Sequence, residues 1–133
     1  IEELVDLLIA EHEVSLRSRD EILSVVGQRE RSVSTGVGGG VAIPHGTIES
    51  IPDIIGAIGV SKRGVDFNAI DGEPVYIVIL LLVPKEKIGR HIKTMAQVAR
   101  IFHREDIRSA IRAAASPMQV FRIIEDADQE QDL

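Results

Sequence analysis

Cysteine and tryptophan are absent from this chain of 133 residues, and aromatic side chains make up only 3% of it. Without cysteine there is no disulfide framework and no thiolate nucleophile, which is compatible with a reducing cytosol. Aliphatic side chains must therefore fill the core, and the hydrophobic fraction of 44% is sufficient for one. A chain of this length predicts a single domain.

Basic charge and long apolar runs are also scarce. The formal net charge is −6, whereas a nucleic-acid-binding surface would be basic, so we expect no nucleic-acid partner. The longest apolar run, Val75 to Val83, has nine residues and is too short to cross a bilayer as a helix, so we expect no membrane insertion. The chain begins at Ile1, inside an apolar helical pattern, which indicates that an N-terminal segment is missing.

Helical and strand-like apolar patterns interleave along the chain. Residues 75–83 are apolar on both faces and rich in β-branched side chains, as expected of a central strand covered on each side. We therefore expect an α/β fold, a three-layer sandwich in which a small mixed sheet has helices on both faces. The predicted helices are 1–13, 21–30, 88–103, 105–115 and 117–125, the predicted strands are 41–43, 54–60 and 75–83, and loops are predicted at 62–64 and 68–73. We expect a domain over residues 1–125 and a polar, acidic, frayed tail over residues 126–133.

A glycine-rich segment stands out between the second predicted helix and the first strand. Residues 34–46 run from a polar turn through four glycines and a short apolar strand to Pro44-His45-Gly46. Pro44 stiffens the backbone before the histidine, and Gly46 lacks the Cβ that would keep another group away. We expect the imidazole of His45 at a strand end with open space beside it, which suits a nucleophile. The alternative is a turn histidine without chemistry.

Three further histidines are present. His91 follows the predicted central strand by one loop and lies in the first turns of the long helix, where open α/β sheets bind ligands. The alternative for His91 is a histidine on the helix surface. His12 and His103 have charged neighbours near predicted helix ends, so we interpret both as surface residues.

The glycine-rich segment matches no known nucleotide-binding loop. It lacks the Gly-Lys-Ser/Thr of a Walker loop, and a helix precedes it where a dinucleotide fingerprint has a strand. A zinc site at His45 and His91 would need a third protein ligand at short spacing to one of them, and no such pair occurs. We therefore expect neither a cofactor nor a metal.

The sequence resembles a known family in several motifs. Gly-Val-Ala-Ile-Pro-His-Gly at residues 40–46, together with Arg29-Glu30 and Ser34-Thr35-Gly36, is similar to the active-site signature of the fructose/mannitol-type enzyme IIA domains of the bacterial phosphoenolpyruvate-dependent sugar phosphotransferase system. Nitrogen-regulatory enzyme IIA proteins share that signature. The similarity covers about residues 1–125. Its departures are the missing N-terminal segment, Gly39 where Asn or Glu is frequent, and Val33 where Gly is frequent.

The resemblance implies roles for three residues. His45 matches the histidine that carries the phosphoryl group, Arg29 the arginine that binds its oxygens, and His91 the second active-site histidine. These residue types suit the chemistry. A neutral imidazole is a good nucleophile near pH 7, and a guanidinium binds phosphoryl oxygens through paired N–H donors.

The family implies a cytoplasmic phosphoryl carrier, a phosphotransferase with a phosphohistidine intermediate. It would accept a phosphoryl group from the phosphocarrier protein HPr and pass it to a cysteine of an enzyme IIB for sugar uptake. The alternative is a regulatory module, in which the phosphorylation state of His45 controls binding to other proteins. A third possibility is a piece of a larger transporter. Because both partners dock as proteins, we expect an apolar collar around His45, with Ile48, Ile51 and the segment near Ile88 as candidates.

Overall fold

The computed structural model describes residues 1–32 and 34–131, and for residues 87, 88, 90 and 131 it describes the backbone alone. Helices and strands interleave along the chain. The helices are α1 (Glu2–Ala10), α2 (Arg19–Ser32), α3 (Ile88–His103), α4 (Glu105–Ala113) and α5 (Pro117–Gln131), with short 3-10 turns at Leu16–Ser18 and Lys85–Lys87. The strands are β1 (Gly36–Gly38), β2 (Val41–Ala42), β3 (His45–Ile48), β4 (Ile55–Val65) and β5 (Val75–Pro84).

Strand β5 is the centre of a five-stranded mixed sheet. Strand β4 runs antiparallel along one edge of β5, while β2 and β3 run parallel to it. Ile77 pairs with both β4 and β2, and Leu81 pairs with both β4 and β3. Because a strand has only two edges, β2 and β3 must lie end to end along the same edge, and β1 pairs with β2 outside them.

Two hydrophobic clusters cover the two faces of the sheet. Side chains of successive strand residues point to opposite faces. Leu80 and Leu82 accordingly pack with residues of α1 and α2, whereas Ile77, Ile79 and Leu81 pack with residues of α3, α4 and α5. The predicted three-layer α/β sandwich and its central strand are therefore confirmed. No helix in the described ranges is both long and apolar enough to cross a membrane.

The sequence located the helices well, and α3 has the predicted bounds. The predicted end of α5 at residue 125 was wrong, because the helix continues to Gln131. Ala127 is buried against the α3–α5 cluster, and Glu130 accepts a hydrogen bond of 2.7 Å from Arg104. Residues 126–131 are therefore helical rather than frayed, and residues 132 and 133 lie outside the described part. The division into domain and tail stays a prediction.

Strand prediction was less complete. Strands β1 and β3 were not predicted, and β4 continues through residues 62–64, where a loop was predicted. The register of β4 against β5 shifts between Val60 and Val65, and Gly64 has a φ of +86°. Because glycine adopts this left-handed conformation without steric cost, the strand can absorb an irregularity and then resume its pairing.

Candidate functional site

His45 is the first residue of β3, just after the break that separates β2 from β3 along one edge of β5. Strand β2 ends at Ala42, Ile43 and Pro44 interrupt the pairing, and the Pro44 carbonyl accepts a hydrogen bond of 3.0 Å from the Leu81 N–H. The His45 ring is half-buried, and its Nδ1 lies 2.8 Å from the carbonyl oxygen of Ile43. A carbonyl can only accept, so Nδ1 carries the proton. In the neutral ring Nε2 is then the unprotonated nitrogen with a lone pair.

Gly46 shows which face of the sheet His45 occupies. A Cβ at Gly46 would lie 2.8 Å from Val25 Cγ1 and 3.2 Å from Val26 Cγ2, so this residue faces α2. Adjacent strand residues point to opposite faces, and His45 is paired with Leu81 on the α3 side. The His45 side chain therefore points toward α3. The close approach expected at Gly46 is made by α2, whereas the open space expected beside the imidazole stays a prediction.

His91 is a buried residue of α3 rather than a residue of its surface. It is 3% exposed, and within the described residues neither ring nitrogen has a hydrogen-bond partner. Helical spacing puts His91 on the same stripe as Met95 and Val98, which pack against the cluster beneath α3. Leaving a buried polar group unpaired costs about 1–3 kcal/mol, so a histidine at this position lowers the stability of the folded protein. The alternative that His91 lies on the helix surface is therefore wrong.

The position of His91 relative to His45 can be estimated from the rise of α3 and of the strands. Helix α3 starts beyond the carboxyl end of β5 and returns over the sheet, so that Phe102 lines the same cavity as Val41. From Phe102 back to His91 the helix rises about 16 Å. About five residues of a strand span the same distance, and the fifth residue after Val41 lies at the start of β3. From these rises we expect His91 to lie level with the strand end that carries His45.

The direction of α2 indicates where Arg29 lies relative to β3. Helix α2 runs antiparallel to β3, since Glu21 near its start accepts a hydrogen bond of 3.3 Å from the Glu49 N–H, while Val26 contacts Gly46. Arg29, one turn beyond Val26, is thus level with the start of β3, and its side chain is half-buried. No strand among the described residues pairs with the outer edge of β3. In the described part of the sheet, β3 is therefore the outermost strand at this edge.

Glu30, to which the sequence analysis assigned no role, holds the backbone before His45. Glu30 Oε1 accepts a hydrogen bond of 3.1 Å from the Thr35 N–H, and Oε2 accepts one of 2.5 Å from the Thr35 hydroxyl. The Thr35 carbonyl in turn accepts a hydrogen bond of 3.1 Å from the Ile43 N–H. A Glu in the last turn of a helix, five residues before a Thr, was the signal that could have revealed this contact.

The carboxyl ends of β3 and β5 are joined by an exposed ion pair. Lys85 Nζ lies 2.8 Å from Glu49 Oε1. The hydrogen bond from Lys85 lowers the pKa of the Glu49 carboxyl, and the same contact raises the pKa of Lys85. Because both groups face solvent, the pair orders two strand ends rather than adding much stability.

The predicted apolar collar needs correction. Ile48 and Ile51 are 0% and 7% exposed and belong to the core beneath α1 and α2, so neither can meet a partner. The Ile88 side chain lies outside the described part. Ile92, next to His91, is 60% exposed and is the apolar group that α3 presents to solvent here. The interpretation of His12 and His103 as surface residues is confirmed, since both are exposed.

Comparison with known proteins agrees with this architecture. The family model described as "Phosphoenolpyruvate-dependent sugar phosphotransferase system, EIIA 2" matches residues 1–127. A nitrogen regulatory protein of Bradyrhizobium diazoefficiens is 33% identical over 121 residues, which cover 91% of this chain and 79% of that protein. A PTS system fructose-specific EIIA component of Haloferax volcanii is 32% identical over 120 residues, covering 90% of this chain and 77% of that protein.

A solved structure shares the fold over most of the chain. The crystal structure of nitrogen regulatory protein IIA-Ntr from Neisseria meningitidis aligns with a TM-score of 0.82 at 34% identity. The alignment covers 92% of this chain and 82% of that one. The mixed sheet with helices on both faces is thus the arrangement found in that protein as well.

Proposed function

The chain belongs to the EIIA 2 family of the phosphoenolpyruvate-dependent sugar phosphotransferase system, and from this premise we propose that it carries a phosphoryl group on Nε2 of His45. The observation that carries the proposal is the hydrogen bond from His45 Nδ1–H to the Ile43 carbonyl. It keeps the proton on one ring nitrogen and leaves the lone pair of the other for attack on phosphorus.

The transfer is an exchange of one N–P bond for another. The Nε2 lone pair attacks the phosphorus of a phosphohistidine on the donor protein. The donor N–P bond breaks, and its electron pair returns to the donor imidazole. The product ring on His45 carries phosphate on Nε2 and the original proton on Nδ1, where the Ile43 carbonyl stabilises the positive charge. In the next step the ring leaves as a neutral imidazole, which is a good leaving group.

His91 and Arg29 would stabilise the phosphoryl group itself. Phosphoryl transfer passes through a loose, anionic transition state, so the protein mainly positions groups and neutralises charge. His91 offers a buried ring nitrogen that lacks a partner in the described part of the protein, and donors in a buried site act more strongly than in water. Arg29 would bind phosphoryl oxygens from the α2 side through its paired N–H groups.

Donor and acceptor are proposed from family membership. We propose that phosphorylated HPr supplies the phosphoryl group in the cytoplasm and that a cysteine of a fructose/mannitol-type enzyme IIB receives it for sugar uptake. The fructose-specific EIIA component of Haloferax volcanii supports this role. Ile92, exposed beside the buried His91, would offer a docking protein an apolar contact on α3.

A regulatory role is the second candidate. It is favoured by the nitrogen regulatory protein at 33% identity and by the IIA-Ntr structure at 34%. In that role the same phosphorylation would change which proteins bind. The two roles differ in the fate of the phosphoryl group, which leaves rapidly to an enzyme IIB in the transport role and persists in the regulatory one.

Intact-mass measurement tests the proposal. The chain is incubated with phosphoenolpyruvate, enzyme I and HPr, and wild type should gain the mass of one phosphoryl group. His45→Ala should gain none, while His103→Ala, a matched change of an exposed histidine, should behave as wild type. Retention of the label on His45→Ala would mean that another residue is the acceptor. Addition of candidate enzyme IIB proteins then separates the two roles.

A further inference from the structure

Glu30 occupies a position that helix formation alone does not favour. It lies in the last turn of α2, where the helix dipole disfavours an anion. Its two carboxylate oxygens instead accept hydrogen bonds from the backbone N–H and the hydroxyl of Thr35, which is 4% exposed. Two charge-assisted bonds to one residue fix both the position and the orientation of that residue.

The contact continues to the reacting histidine in two further steps. The Thr35 carbonyl accepts the Ile43 N–H at 3.1 Å, and the Ile43 carbonyl accepts Nδ1–H of His45 at 2.8 Å. The second step crosses the break between β2 and β3, where Ile43 lies outside the paired registers and Pro44 is held to β5 through its carbonyl, which accepts the Leu81 N–H. The position of Ile43, and with it the orientation of its carbonyl, therefore depends on the hydrogen bond from the Ile43 N–H to Thr35, and the position of Thr35 depends on Glu30.

We propose that Glu30 is a positioning residue that imposes the Nδ1–H tautomer on His45 through Thr35 and Ile43. In water a neutral histidine side chain prefers the proton on Nε2, which would block that nitrogen as a nucleophile. A correctly oriented carbonyl acceptor at Nδ1 reverses this preference. The inference rests on the proposed phosphoryl transfer for its functional consequence, but the tautomer itself can be measured without any phosphoryl donor.

The variants are Glu30→Ala, Glu30→Gln and Thr35→Val. Glu30→Ala removes both bonds to Thr35. Glu30→Gln retains an acceptor for the Thr35 N–H and a donor for the Thr35 hydroxyl. Thr35→Val removes the hydroxyl at nearly constant volume and provides a second variant if Glu30→Ala fails to fold. Glu21→Ala is the matched control, because Glu21 lies on the same helix and also accepts from a backbone N–H, at Glu49, but has no path to Ile43.

Two quantities are measured on each variant. Nitrogen-15 NMR of the histidine ring reports the tautomer of His45, and the rate of phosphorylation by phospho-HPr reports the function. Wild type and Glu21→Ala should show His45 as Nδ1–H. Glu30→Ala and Thr35→Val should show a mixture with Nε2–H and should accept the phosphoryl group at least about tenfold more slowly, as expected for a misplaced nucleophile. Glu30→Gln should restore both quantities toward wild type.

The outcomes separate this inference from the proposed function. A folded Glu30→Ala protein with an unchanged tautomer would overturn the inference, whatever its rate. Failure of Glu30→Gln to restore the tautomer would also contradict it, since the hydrogen bonds would then not be the cause. If His45→Ala is still phosphorylated, the proposed function fails, whereas a tautomer shift in Glu30→Ala still supports the positioning role.

Discussion

Replacement of Gly46 by alanine is the sharpest test of how α2 and β3 hold the site. The new Cβ would lie 2.8 Å from Val25 Cγ1 and 3.2 Å from Val26 Cγ2. Carbon atoms in contact prefer about 3.5–4.0 Å, so α2 or β3 must move by roughly 1 Å. Gly46 is not among the glycines with a positive φ, so backbone strain adds nothing to this cost.

Overpacking of this kind costs about 1–3 kcal/mol, which for a domain of this size lowers the Tm by roughly 3–10 °C. Displacement of the strand that carries His45 should also slow its phosphorylation by about tenfold or more. Thermal unfolding and the rate of labelling by phospho-HPr measure the two effects. Gly89→Ala is the control for stability, because no described atom lies within 4 Å of its added Cβ and alanine favours a helix.

The double variant Val25→Ala/Gly46→Ala identifies the clash itself. Removing Val25 Cγ1 leaves room for the new methyl group, so the double variant should be about 1 kcal/mol more stable than the sum of the single changes implies. Wild-type stability of Gly46→Ala, or strict additivity of the two changes, would refute the argument that α2 is packed against the start of β3.

Two other changes test the buried histidine and the helical end of the chain. His91→Leu should leave the free energy of unfolding unchanged or raise it by up to about 1–3 kcal/mol, because it removes unpaired buried nitrogens, while onward transfer to an enzyme IIB slows. Urea unfolding and the transfer rate check this, and a clear loss of stability would show that His91 is satisfied in the folded protein. The hydrogen bond from Arg104 lowers the pKa of Asp106, so its stabilising effect is present above the ordinary carboxyl pKa and is lost as the pH falls through the lowered value. The Tm difference between wild type and Asp106→Asn should therefore shrink at acid pH, and a difference that is constant down to about pH 2 would contradict it.

The layers and the central strand could be predicted from the sequence because both depend on the pattern of apolar residues alone. Residues 75–83 are apolar on both faces, and a strand of this kind must be covered on each side. The helix predicted at residues 88–103 likewise packs one face, with Met95 and Phe102, against the cluster on its side of the sheet. The end of α5 was predicted too early for the same reason, since its last turns are acidic and Ala127 alone among their described side chains continues the buried pattern.

The remaining features depend on contacts that no local pattern encodes. Strand β3 has four residues and one buried side chain, Ile48, so it carries no alternation that could be recognised. Gly46 was correctly expected to permit a close approach, but only the packing of α2 shows that the approaching groups are Val25 and Val26. The contact between Glu30 and Thr35 joins a helix end to the residue that follows the next turn, which periodicity does not reveal.

The most direct test of the account is the site of the N–P bond in the phosphorylated protein. The chain, labelled with nitrogen-15 on histidine, is phosphorylated by the phosphoenolpyruvate relay, and the coupling between nitrogen-15 and phosphorus-31 is measured. We expect the coupling on Nε2 of His45, with a proton retained on Nδ1. Coupling on Nδ1 of His45, or on the ring of His91, would contradict the central claim.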